Sequence, residues 1–144
     1  MSTCSLPNWS RAVVKVGSAL VAPDDRGCST THLLPIARFV ADSRRQGKDV
    51  ILVSSGAVAA GLAEQGRDGP GTGLSIPERQ ALAALGQPLL MAHWRRLFDV
   101  PCAQVLLTYD DLQRRARFVN AKNTIAELLD RGTLPIVNEN DTVA

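Results

Sequence analysis

The chain has 144 residues, 45% of them apolar, 21% charged and only 4% aromatic. That balance excludes a disordered or collagen-like polymer and fits one globular unit able to bury an ordinary core. Sixteen Lys and Arg against fourteen Asp and Glu leave a net charge of +2 with no basic block, so charge gives no reason to expect nucleic acid or a membrane surface as a partner.

Cys4, Cys28 and Cys102 are odd in number and have no C-x-x-C spacing, which argues against a disulfide framework or zinc site and for a reducing compartment. Residues 1–10 form a polar leader without an apolar run long enough for a signal peptide, and no stretch approaches ~18 apolar residues. The expectation is a soluble, cytoplasmic protein.

Ala12 to Val16 reads as a short buried strand ending at the turn Gly17-Ser18. From Thr31 to Gln46, Leu33, Ile36, Ala37 and Val40 share one helical stripe, Arg44 and Arg45 sit near the end, and Gly47 supplies the stop. Pro35 is tolerated there if it lies in the first turn. Asp49 to Ser54 is nearly all aliphatic and β-branched, as expected of a parallel strand covered on both faces. It runs through Ser55-Gly56 into a helix beginning at Ala57. Gly66 to Gly73 reads as an exposed loop. Ser75, with Glu78 three residues on, predicts a capping box for a long helix reaching about Phe98, with Leu82, Leu85, Leu89 and Ala92 as its apolar positions. Cys102 to Leu107 is a third strand. Phe118 to Leu129 is a helix with Val119, Ile125, Leu128 and Leu129 toward the core, and Leu134 to Val137 is a fourth strand. This alternation predicts an α/β fold, a three-layer αβα sandwich with a mainly parallel sheet. The absence of a helix covering the fourth strand predicts a truncated version of it.

Ligands of parallel sheets collect beyond the carboxyl ends of the strands, where three polar segments fall: 15–18, 54–57 and 138–141. Lys15 ends an apolar strand, where an ammonium is costly unless it faces a polar cleft or snorkels to solvent. The first alternative makes it a point charge for phosphate, with the N–H groups of Gly17 and Ser18 close by. Ser55 either caps the following helix or faces a ligand, and the N–H groups of Gly56, Ala57 and Val58 offer an anion site there. Asp141 is either a solvated turn residue or the partner of an ammonium group or metal. Gly69 to Gly73 lacks the preceding strand and the G-K-[ST] of a phosphate loop. His32 and His93 have no companion at metal-ligand spacing, and no G-x-S-x-G elbow supports serine hydrolysis. Arg114, Arg115 and Arg117 form a basic cluster, either a solvated face or a partner contact.

Taken together, V-V-K-V-G-S at 13–18, V-S-S-G-A-V-A-A-G at 53–61, Q-A-L-A-A-L-G-Q at 80–87, L-L-T at 106–108, R-F-V-N-A at 117–121 and I-V-N-E-N-D-T-V at 136–143 resemble the amino-acid kinase family. Within it they are most similar to the branch that phosphorylates the γ-carboxylate of L-glutamate at the start of proline biosynthesis. The resemblance covers residues 11–144. It implies ATP with Mg²⁺ as phosphoryl donor, Lys15 as the catalytic cation, and Gly17 and Ser18 along the ATP phosphate path. Ser55, Gly56 and Ala57 would hold L-glutamate, and Asp141 would receive its α-ammonium. It also implies a homo-oligomer and proline as feedback inhibitor, with the helix at 76–98 and the segment 108–118 as candidate interface or effector surfaces. The family pattern continues with a G-D-N-D-type segment and a nucleotide-binding half carrying a second lysine, neither of which this sequence contains. The expectation is therefore a glutamate-binding lobe without its nucleotide lobe, a piece of a longer polypeptide with negligible kinase activity by itself. Two rivals follow from the same residues. A dehydrogenase would need G-x-G-x-x-G at the first turn and is disfavoured, while a non-catalytic glutamate- or proline-binding module stays open.

Overall fold

Four strands form a single parallel sheet in the order β1-β2-β4-β3. The computed structural model describes residues 7–23, 27–67 and 71–144; Cys4, residues 1–6 of the leader and the Gly69-Pro70 step lie outside the described residues. In chain order the elements are β1 (Arg11–Val16), α1 (Ser18–Val21), α2 (Leu33–Arg45), β2 (Asp49–Ser54), α3 (Ala57–Glu64), α4 (Ile76–Arg95), β3 (Cys102–Leu107), α5 (Tyr109–Gln113), α6 (Arg115–Asp130) and β4 (Leu134–Glu139). β1 and β2 pair in register from Arg11 with Asp49 to Val16 with Ser54, and β3 pairs with β4 from Cys102 with Leu134 to Leu107 with Glu139.

Parallel crossovers are right-handed. The steps β1 to β2 and β2 to β3 run across the sheet in one direction, and β3 to β4 runs back. Handedness therefore puts α2, α3 and α4 on one face and α6 on the other, an αβα arrangement. Burial follows it. Val16, Val50, Leu52, Leu134 and Ile136 point to the first face and form one buried cluster with Leu33 and Val40 of α2, Ala57 of α3, and Ala83, Leu90, Met91 and Trp94 of α4. Trp9, just before β1, packs against the same cluster and lies against Phe39, with Lys48 Nζ 4.5 Å from its ring centre.

The second face is thinly covered. Val13 is 63% exposed, and β2 alternates buried with half-buried residues instead of being covered on both faces. No residue of α6 is buried. Val119, expected in the core, is exposed, and Ile125, Leu128 and Leu129 are half-buried. The physical reason is that α6 packs beside β4 and, among the described residues, no helix other than the short α5 packs closely against it. α6 also begins at Arg115, earlier than the sequence pattern indicated, behind the short α5, which that pattern did not show. α5 has its own cap: the N–H of Asp111 donates to Thr108 Oγ1 and the Asp111 carboxylate accepts from the N–H of Thr108 at 2.8 Å.

The Ser75–Glu78 capping box of α4 is present, with the N–H of Ser75 donating to the Glu78 carboxylate at 2.8 Å. Its buried stripe differs from the expected one. Leu82 is buried, but Leu85, Leu89 and Ala92 are exposed, and the inward positions are Ala83, Gly86, Gln87, Leu90, Met91 and Trp94. The cause is the closeness of α3. A Cβ at Gly86 would overlap the carbonyl oxygen of Ala57, and one at Gly61 that of Leu82. The two helices touch backbone to backbone through their glycines, which turns the Gly86 side of α4 inward.

Candidate active site

Beyond the carboxyl ends of β1, β2 and β4 lies a cleft of about 660 Å³. Six of the seven expected site residues line it: Lys15, Ser18, Ser55, Gly56, Ala57 and Asp141. Gly17 does not. It is the residue before α1, and its carbonyl accepts from the N–H groups of Leu20 and Val21 at 3.0 and 3.3 Å. Its backbone is extended and nothing lies within 4 Å of where a Cβ would stand, so its contribution is open space beside the cleft.

Lys15 is exposed and forms no ion pair among the described residues. It shares a sheet face with its register neighbour Val53, and both side chains border the cleft. The snorkelling and cleft-facing alternatives thus merge: the ammonium keeps its hydration by facing a wet cleft.

The two serines that end β2 divide their work. Ser54 is fully buried; its Oγ accepts from Trp94 Nε1 at 2.7 Å and donates to the carbonyl of Ser55 at 3.2 Å. That pair ties the end of β2 to α4. Ser55 is not the cap of α3, because Gly56 occupies that position and no side chain caps the helix. The Ser55 hydroxyl has no hydrogen bond among the described residues, and its backbone is held by the N–H donating to Val16 at 3.0 Å. Gly56 has φ +117°, and a Cβ there would come within 2.9 Å of Val21. Only glycine fits this turn without strain. The turn delivers the uncapped N-terminus of α3, whose first N–H groups have no partner within the helix, to the cleft wall.

Asp141, which follows β4, also lines the cleft. Its carboxyl is pushed above its ordinary value, first by burial and then by the neighbouring Glu139 charge, while Arg79 pulls the other way. Arg79, Asn138 and Glu139 also line the cleft; Asn138 and Glu139 belong to the polar segment 138–141 expected there, whereas Arg79 did not stand out as a site residue in the sequence. Arg79 comes from the first turn of α4, remote in the chain from every glycine motif, and only the packing of α4 against the sheet brings it in. The cleft therefore carries two cations, two carboxylates and a set of free backbone N–H groups. This pattern suits a ligand with both an ammonium and carboxylates.

The remaining candidates fall elsewhere. Among the described residues no group of three or more His, Cys, Asp and Glu is placed to hold a metal. His32 is the exposed residue preceding α2 and His93 is half-buried on α4. Cys28 and Cys102 are free thiols, each raised in pKa by burial. Arg114 and Arg117 pair with Asp110 and Asp111 of α5 at 2.8 to 3.5 Å, so most of the basic cluster is neutralised within the chain. No helix among the described residues is long and apolar enough to cross a membrane.

The model of the Amino acid kinase family matches residues 10–144. Glutamate 5-kinase of Salinibacter ruber is 93% identical over 144 residues, covering 100% of this chain and 38% of that protein. Glutamate 5-kinases of Idiomarina loihiensis and Thermus thermophilus are 51% and 53% identical over 138 residues, covering 96% and 93% of this chain and 37% and 36% of theirs. The chain spans little more than a third of the length of these relatives.

Proposed function

Because the chain belongs to the amino acid kinase family, we propose that it forms the L-glutamate-binding lobe, residues 11–144, of an ATP-dependent glutamate 5-kinase. The reaction is transfer of a phosphoryl group to the γ-carboxylate, giving L-glutamyl 5-phosphate for proline biosynthesis. The observation that carries this reading is the meeting of Lys15, Ser55, the α3 N-terminus and Asp141 in one cleft.

The chemistry asks little covalent work of the protein. A γ-carboxylate is ionised at neutral pH, with an ordinary pKa of about 4.3, so it needs no general base. Its oxygen attacks the terminal phosphorus of ATP, the bond to the bridging oxygen breaks, and ADP leaves with that electron pair. The obstacle is repulsion between two anions and the charge spread over the transferred group, which fixed positive charge and oriented N–H groups relieve. In this reading Lys15 faces the transferred phosphoryl group, and Ser18 with the Gly17 turn borders the ATP phosphates. Ser55 and the N–H groups of Gly56 and Ala57 hold a carboxylate of L-glutamate, and Asp141 pairs with its α-ammonium. Mg²⁺ enters with the nucleotide, whose phosphate oxygens suit it; among the described residues no group of carboxylates is placed to cage it. In this reading the base and sugar of ATP bind outside residues 11–144. We place the protein in the cytoplasm, with self-association and proline inhibition as further expectations of the same reading.

Trapping tests it. An acyl phosphate reacts with hydroxylamine to give a hydroxamate. The protein as its gene encodes it, supplied with ATP, Mg²⁺ and hydroxylamine, is expected to give γ-glutamyl hydroxamate from L-glutamate and far less product from L-aspartate. Equal product from both, or none from either, contradicts the assignment.

A further inference from the structure

A chain of three carboxamides crosses the interior from the exposed edge strand β3 to the cleft. Gln87 Nε2 donates to Gln104 Oε1 at 2.9 Å, and Asn138 Nδ2 donates to Gln87 Oε1 at 2.9 Å. The N–H of Glu139 donates to Asn138 Oδ1 at 2.9 Å. Gln87 and Asn138 are both buried.

The direction of this relay is set by its one group that cannot be reversed, the backbone N–H of Glu139. That donor demands an oxygen from Asn138, so Asn138 must turn its amide nitrogen toward Gln87. Gln87 must then offer its oxygen to Asn138 and its nitrogen to Gln104. A carboxamide nitrogen carries two hydrogens. One of those on Asn138 is spent on Gln87, and the other is left for the cleft that Asn138 lines. With its oxygen accepting from the N–H of Glu139 and one amide hydrogen given to Gln87, the second amide hydrogen is the donor Asn138 has left to offer a ligand.

We propose that Gln87 is a positioning residue: by accepting from Asn138 it holds that side chain as an N–H donor toward an anionic group of the ligand. The inference rests on reading the cleft as the L-glutamate site. It gives Gln87 a task beyond filling the interface between α4 and the sheet, since an apolar residue of similar size would fill the same space but leave the Asn138 amide held only at its oxygen, by the N–H of Glu139, with its nitrogen unanchored.

The test is calorimetry of L-glutamate binding to the protein as its gene encodes it, with thermal unfolding measured on the same samples. Gln87→Met removes both relay bonds and is expected to weaken binding about tenfold, the size of one hydrogen bond to a charged group. Gln87→Glu keeps an oxygen toward Asn138 and is expected to restore affinity to within about threefold of the wild type. A purely space-filling role lowers the melting temperature of Gln87→Met without moving its affinity, and that result overturns the inference. Should Gln87→Met fail to fold, Gln104→Met decides: its side chain is exposed, its loss takes away the acceptor that anchors Gln87 Nε2 and so loosens the hold on Asn138, and unchanged affinity overturns the proposal. A wild-type protein that binds no L-glutamate overturns the site reading itself, whereas a binding wild type with an equally binding Gln87→Met overturns the relay alone.

Discussion

The Asp141 carboxyl stands above its ordinary pKa because of burial and Glu139, against the pull of Arg79. A group whose pKa is higher in the folded chain than in the unfolded one contributes stability that is full below the unfolded value and is lost as pH rises through the folded one. Ionised Asp141 therefore burdens the fold at neutral pH. Asp141→Asn is expected to raise the melting temperature slightly while weakening L-glutamate binding more than about tenfold, a trade of stability for function. A ligand ammonium reverses the balance by favouring the charged form. L-glutamate affinity is thus expected to fall as pH drops through the raised Asp141 value and to lose that dependence in Asp141→Asn, as calorimetry across a pH series would register. Trp94 poses a simpler case. Trp94→Phe keeps most of the packing but leaves the buried Ser54 hydroxyl without its donor, a loss of about 1–3 kcal/mol measurable by denaturant unfolding.

At the scale of elements, the pairing of α3 with α4 positions the site. It carries the uncapped α3 N-terminus to one wall and Arg79 to the rim, and Trp94 and Gln87 reach from α4 to the ends of β2 and β4. Gly86→Ala would force the two backbones apart. It is expected to cost about 3 kcal/mol or more, the upper range for overpacked contacts, and to weaken ligand binding together with stability. The capping box of α4 and the strand at 49–54 were legible in the sequence because each is a local pattern. The inward face of α4 was not, because apolar spacing pointed to Leu85 and Leu89, and only the backbone contact at Gly61 and Gly86 decides which side turns in. The sequence singled out Ser55 but not the bond that Ser54 makes; the strand's alternation sends Ser54 to Trp94 and Ser55 to the cleft. Thr108 and Asp111 did leave a readable trace of α5, a capping pattern that apolar periodicity alone does not reveal.

For the whole molecule, strand order makes the site. β1, β2 and β4 lie side by side though β3 intervenes in the chain, so segments more than a hundred residues apart meet at one end of the sheet. The polar segments after these strands were recognisable from sequence, and their convergence followed from parallel topology. Arg79 was not, since it reaches the cleft from a helix. The thinly covered second face and the share of the relatives spanned, 38% for the Salinibacter ruber protein, bear on activity. The 144-residue chain by itself is expected to bind L-glutamate without turning it over, so ADP release from it should not rise when L-glutamate is added. The central claim is that this cleft reads the amino acid with Asp141 and reserves Lys15 for the phosphoryl group. Calorimetry of L-glutamate with the chain, with Lys15→Ala and with Asp141→Ala tests it most directly. The account predicts binding by the first, binding within about threefold for the second, and a loss of more than about tenfold for the third, the scale of a charge-assisted contact. Equal losses in the two variants, or no binding by the unmodified chain, would contradict it.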